Sequence, residues 1–179
     1  MKKVLFLLGE LNDADLDWLV EVGKKEEVPA GTILIHEGRP VDTLYILLDG
    51  TLVVSISALE GRQIARLSSG DVVGEMSFID SQPPSATVQT LENSMVLAIP
   101  RSLLSEKLQQ DEGFGCRFYR ALAILLSHRL RGTVKTMGAP VGSAADAANP
   151  DAQTPVEPTL HVAQRRFERL LNQVETASS

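Results

Sequence analysis

Gly70-Asp71-Val72-Val73-Gly74-Glu75-Met76-Ser77-Phe78-Ile79-Asp80-Ser81-Gln82-Pro83-Pro84-Ser85-Ala86-Thr87-Val88 is the stretch whose reading decides the fold. It reads as a strand, a glycine turn, one or two turns of helix, a loop and a second strand. The order places a carboxylate, Glu75, beside backbone amides that can face an anion.

On both sides of this stretch the chain is a series of short β runs. Thr32–His36, Thr43–Leu48, Leu52–Ser57, Gln63–Leu67, Ala86–Thr90 and Met95–Ile99 are aliphatic and β-branched. Gly31, Gly38-Arg39-Pro40, Asp49-Gly50, Glu60-Gly61 and Gly70-Asp71 separate them. In the first half the starts recur about every 8 to 12 residues, the signal of an all-β roll or sandwich rather than βαβ units. Asp49-Gly50 is a tight hairpin signal, because glycine supplies positive φ. The expected fold is therefore mainly β with flanking helices, an antiparallel, jelly-roll-like β-roll.

Helices flank the roll on either side. Asn12 or Asp13 can cap a helix over 13 to 23, with Asp15 and Asp17 favourably placed in its first turn and Leu16, Leu19 and Val20 on one face. After Pro100-Arg101 a short helix carries Leu103, Leu104 and Leu108. A long one follows over about 114–137, where Tyr119, Leu122, Leu126, Leu130, Thr133 and Met137 form a continuous stripe widened by Phe118, Leu125 and Arg129. This helix is longer than a small roll can cover, so a homodimer through 114–137 is expected, against the simpler alternative that the stripe packs on the roll. Residues 139–158 are small, polar and proline-punctuated, a linker composition. Leu160, Ala163, Phe167, Leu170, Leu171 and Val174 then repeat at helical spacing opposite Arg165, Arg166 and Arg169. This amphipathic tail helix over 159–174 either docks on its own domain or enters a protein partner's groove. The expected organisation is thus a domain over 1–138, a linker over 139–158 and a tail over 159–179.

Composition excludes several classes. The chain has 179 residues and a net charge of −6, which gives no counterion-release advantage on nucleic acid. One cysteine, Cys116, permits no internal disulfide, and His36, His128 and His161 are too scattered to suggest a metal site. Met1-Lys2-Lys3-Val4-Leu5-Phe6-Leu7-Leu8 imitates the start of a signal peptide, but Glu10, Asp13 and Asp15 follow at once with no cleavage site. No stretch approaches the ~18 apolar residues of a membrane helix. A cytoplasmic protein without membrane or DNA partners is expected. No nucleophile, base and orienting acid lie at a recognisable spacing, so no enzyme is expected. His128 reads as a surface or interface residue, and Cys116 as core or interface.

Pro29-Ala30-Gly31-Thr32, Leu34-Ile35-His36-Glu37-Gly38, Leu44-Tyr45-Ile46-Leu47-Leu48-Asp49-Gly50, the opening stretch and Val96 to Pro100-Arg101 together resemble the cyclic nucleotide-binding domain family. That family includes the catabolite activator protein and the regulatory subunits of cyclic-AMP-dependent kinase. The likeness covers roughly residues 5–138. It implies that Gly74 to Thr87 is a phosphate-binding cassette in which the Glu75 carboxylate accepts a ribose 2′-hydroxyl. The amides near Met76 and Ser77 and the amide and hydroxyl at Ser85-Ala86 would face the cyclic phosphate, and Thr133 on the long helix would reach the base.

One position departs from the family pattern. Pro84 stands where the resemblance calls for a phosphate-pairing arginine, and proline offers neither charge nor amide hydrogen. Arg39 and Arg62 are loop cations that the sequence does not place near the phosphate. The resemblance and its departure imply a regulatory, signal-transduction protein with weak or altered cyclic-nucleotide binding, acting through protein–protein contacts. The alternative is a working sensor of cyclic AMP, cyclic GMP or a related phosphate ligand, using Glu75 and Ser85. No cofactor is expected beyond such a ligand. Only a linker and one helix follow the long helix, too little for the helix-turn-helix domain of the activator proteins.

Overall fold

The computed structural model describes residues 4–137 and 157–176. Most of the linker expected over 139–158 lies outside the described residues. The chain opens with two helices, α1 (Val4–Glu10) and α2 (Asp13–Val22). Asn12 caps α2 through a reciprocal box: its side chain accepts from the Asp15 amide at 2.9 Å, and the Asp15 carboxylate accepts from the Asn12 amide at 2.8 Å.

Eight strands follow: β1 (Lys24–Val28), β2 (Ile33–Ile35), β3 (Thr43–Asp49), β4 (Thr51–Ile56), β5 (Arg62–Ser68), β6 (Val72–Val73), β7 (Thr87–Thr90) and β8 (Ser94–Pro100). They form two antiparallel four-stranded sheets, ordered β1-β8-β3-β6 and β2-β7-β4-β5. The helix α3 (Met76–Asp80) interrupts the roll between β6 and β7. After β8 come α4 (Arg101–Gln110), α5 (Glu112–Met137) and α6 (Glu157–Thr176). The expected β-roll with flanking helices is what the chain forms.

The central strands of the first sheet, β3 and β8, are buried on both faces, which explains why they read as near-continuous apolar runs rather than alternating ones. Leu47, Val73 and Val96 face the interior of the roll with Val28, Ile35, Leu52, Leu67 and Val88. Leu44, Ile46, Leu48, Val72, Leu97 and Ile99 face a helical layer of Leu7, Leu8, Leu16, Leu19, Phe114, Phe118 and Leu122.

Two local expectations are corrected. Asp49-Gly50 does not close a hairpin: β3 pairs with β6 and β8, whereas β4 pairs with β5 and β7. Gly50, at φ 101°, turns the chain from one sheet into the other. The charged segment Lys24–Val28, not expected as a strand, pairs along β8 from Lys24 opposite Ala98 to Val28 opposite Ser94. Backbone pairing outweighs the poor strand propensity of Lys and Glu, and charge on an edge strand discourages further pairing.

Helix α5 begins two residues earlier than the sequence pattern suggests and packs Phe114, Phe118, Ala121, Leu122 and Leu125 out of solvent. Tyr119, Leu130 and Val134 remain exposed. The tail helix α6 lies against α1 and α2. Ala163, Leu170 and Val174 are buried in the helical core. Arg166 donates to the Leu8 carbonyl at 2.9 Å and to Asp13 at 3.0 Å, and Arg169 to Asp17 at 2.7 Å.

Candidate functional site

The cassette is shaped by backbone geometry before any side chain acts. Gly74 adopts φ 89°, and a Cβ there would lie 2.6 Å from the Thr43 carbonyl oxygen. Only glycine allows β6 to turn this sharply into α3. Ser81, at φ 56°, ends α3. The Ser77 hydroxyl donates to the Gln82 carbonyl at 3.0 Å, and the Asp80 carboxylate accepts from the Gln82 amide at 2.9 Å. Ser77 is buried and its hydroxyl serves the loop, whereas Met76 is exposed.

Glu75 occupies the N-cap position of α3 with its side chain buried. Its carboxylate accepts a hydrogen bond from the guanidinium of Arg129 on α5, which also donates to the Val72 carbonyl. Burial holds the Glu75 carboxyl above its ordinary value. The Arg129 charge and a backbone hydrogen bond oppose that rise, and the nearby Asp71 charge adds to it. One arginine therefore ties the long helix to the carboxylate and to the strand leading into the cassette.

Arg129 is the site residue that sequence reasoning missed, because its spacing marks it only as part of the packing stripe. It lies four residues before Thr133, one helical turn away on the same face. Thr133 falls within α5, but its side chain lies outside the described residues.

The exit of the cassette is half-open. Pro84 is partly buried, Ser85 exposed, and Ala86 intermediate. The Pro84 carbonyl accepts from the Gly38 amide at 2.8 Å, and the Thr87 hydroxyl from the Glu37 amide at 3.2 Å. The loop between β2 and β3 thus lies along residues 84–87. Arg62 begins β5, an edge strand of the second sheet. Gly74, Glu75, Met76 and Ser77 lie at the turn into α3, the Ser77–Gln82 hydrogen bond ties that helix to the loop leading to Pro84, Ser85 and Ala86, and Arg129 bonds to Glu75. Among the described residues no cluster of His, Cys, Asp and Glu could hold a metal ion, and no helix is long and apolar enough to cross a membrane.

Residues 25–111 match the family model described as the cyclic nucleotide-binding domain. An uncharacterised NTE family protein of Mycobacterium tuberculosis is 30% identical over 120 residues, covering 67% of this chain and 20% of that protein. The chain therefore spans about a fifth of the length of that curated relative. A crystal structure of a cyclic nucleotide-binding domain from Methylobacillus flagellatus superposes with a TM-score of 0.67 at 24% identity, covering 75% of this chain and 80% of that one. The regulatory domain of Toxoplasma gondii PKA, crystallised with cAMP, superposes with a TM-score of 0.53 at 27% identity, covering 56% and 39%.

Proposed function

Because residues 25–111 belong to the cyclic nucleotide-binding domain family, we propose that this chain is a regulatory, signal-transducing module whose cyclic-nucleotide pocket is weakened at Pro84 and whose output is protein–protein contact. The observation that carries this reading is the buried Glu75 carboxylate, set at the start of the cassette helix and bonded to the long helix through Arg129. A ligand whose ribose hydroxyl engages Glu75 would act on the same group that anchors α5, so occupancy and helix position are coupled. The amides near Met76 and Ser77 and the Ser85-Ala86 segment would face the cyclic phosphate, with Thr133 toward the base.

Pro84 sets the affinity. Removing one partner of a buried charge pair costs about 2–5 kcal/mol, or roughly thirtyfold to several thousandfold in affinity. Calorimetric titration with cyclic AMP and cyclic GMP, on wild type and on Pro84→Arg, tests this. Weak wild-type binding and a clear gain in the variant are expected. No gain in a folded variant would remove the assignment of the phosphate site.

A second reading, a working sensor of cyclic AMP, cyclic GMP or a related phosphate ligand through Glu75 and Ser85, is favoured by the retained, buried carboxylate. Micromolar wild-type binding would select it. On either reading the module acts without chemistry of its own, in the cytoplasm and without DNA or membrane partners. The exposed side of α5 would carry its output by forming a homodimer. The tail helix, whose apolar residues Ala163, Leu170 and Val174 are already buried in the helical core, would meet a protein partner only through its outer, polar face.

A further inference from the structure

The loop between β2 and β3 is fastened to the cassette at two points. At one end the Gly38 amide donates to the Pro84 carbonyl at 2.8 Å. At the other, Val41 is buried, and its Cγ1 lies 3.4 Å from where a Cβ on Gly74 would stand. Arg39 and Pro40 therefore span the short gap between the exit of the cassette at position 84 and its entrance at position 74. A turn, with the Arg39 amide donating to the His36 carbonyl at 3.2 Å, fixes the start of that span. Proline at position 40 restricts Arg39 to extended conformations.

The charges around this span leave Arg39 available. Glu37, the nearest acid in sequence, is already engaged: its Oε2 accepts from the Ser57 amide at 2.8 Å and from the Ser57 hydroxyl at 2.9 Å. Arg39 is exposed, and its guanidinium makes no hydrogen bond or ion pair with any described residue. The cassette has lost a cation at position 84, and the loop bonded to that position carries an unengaged one.

We propose that Arg39 supplies the phosphate-pairing guanidinium of this pocket, in place of the arginine that Pro84 excludes. The inference rests on the cassette accepting a cyclic nucleotide. The contact comes from a loop rather than from the cassette itself, so more side-chain freedom is lost on binding, and affinity stays below that of a cassette arginine. Arginine suits the task because its planar donors match phosphate oxygens two at a time.

The test uses the full chain, with cyclic AMP and cyclic GMP as probes, titrated by NMR to reach millimolar dissociation constants. Wild type is compared with Arg39→Ala, Arg39→Lys, Pro84→Arg and the double variant Arg39→Ala/Pro84→Arg. Arg39→Ala is expected to weaken binding about ten- to a hundredfold at an unchanged melting temperature. Arg39→Lys should recover part of that loss. Within the Pro84→Arg background, losing Arg39 should cost less, because the cassette then holds its own cation. If Arg39→Ala binds like wild type while Pro84→Arg binds tighter, Arg39 is not the phosphate contact. Binding by Pro84→Arg alone, with none by wild type, would likewise rule Arg39 out. If neither wild type nor Pro84→Arg binds either probe, the cyclic-nucleotide reading falls with it.

Discussion

Replacing Arg129 with alanine tests the joint between the cassette and the long helix. The Glu75 side chain is 3% exposed and that of Arg129 27%. Arg129→Ala would leave a carboxylate buried beside Asp71 without its cation. Breaking a buried ion pair from one side costs about 3–5 kcal/mol. The partial exposure of Arg129 lets water enter the vacated space and places this pair near the lower end, about 3 kcal/mol. For a chain of this size that corresponds to a fall of roughly 6–12 °C in melting temperature near neutral pH.

The loss should depend on pH, and its sign follows from the raised Glu75 pKa. Between the ordinary value of 4.5 and the raised folded value, the folded state binds more protons than the unfolded chain. The contribution of Glu75 to stability therefore falls as pH rises through that window and levels off above it. Below 4.5 the carboxyl is protonated in both states, and Arg129 faces a neutral acid. Removing Arg129 removes a charge that opposes the rise, so the falling limb extends to higher pH. The destabilisation should be small near pH 4, grow with pH and then reach a plateau. Thermal melts across this range, on wild type, Arg129→Ala, Glu75→Gln and the double variant, measure it. In the Glu75→Gln background the Arg129 substitution should cost much less. Equal losses at low and high pH, or in both backgrounds, would refute an electrostatic joint.

The exposed apolar side of α5 predicts an oligomer. Leu130 and Val134 are 65% and 60% exposed, and Leu130→Asp with Val134→Asp should convert a dimer to a monomer in light scattering, whereas a monomeric wild type would sink the interface. Leu170→Ala should weaken α6 docking by about 2–5 kcal/mol, read as faster amide exchange in α6 with β8 still protected. Uniform loss of protection along the chain would instead make α6 inseparable from the core. Gly74→Ala should cost at least about 2 kcal/mol, because an L residue at φ 89° is strained and its Cβ meets the Thr43 carbonyl oxygen; a melting temperature equal to wild type would refute the turn geometry.

The sequence by itself determined the roll, because its turns and strands are local events. Glycines at chain reversals, β-branched runs between them and the Asn12–Asp15 cap each rest on residues close together in the chain. The Gly74-Glu75 cassette was legible for the same reason. Where pairing is long-range, local signals fell short. Lys24–Val28 became a strand only because β8 offered it an edge, some seventy residues away in sequence. Asp49-Gly50 turned a corner between sheets instead of closing a hairpin, because each flanking strand found a better partner elsewhere.

The same limit applies to the site and to the tail. Arg129 was visible as one residue of a helical stripe, but its partner lies 54 positions away. The amphipathic pattern of the tail required burial without naming the surface, which the acidic start of α2 and the carbonyls ending α1 supply through Arg166 and Arg169. A helix pattern fixes which face needs covering, and only the packed chain decides what covers it. Electrostatics adds to this, since the environment of Glu75 depends on how deeply it is buried and which charge meets it there. Neither property is encoded in the residues adjacent to it.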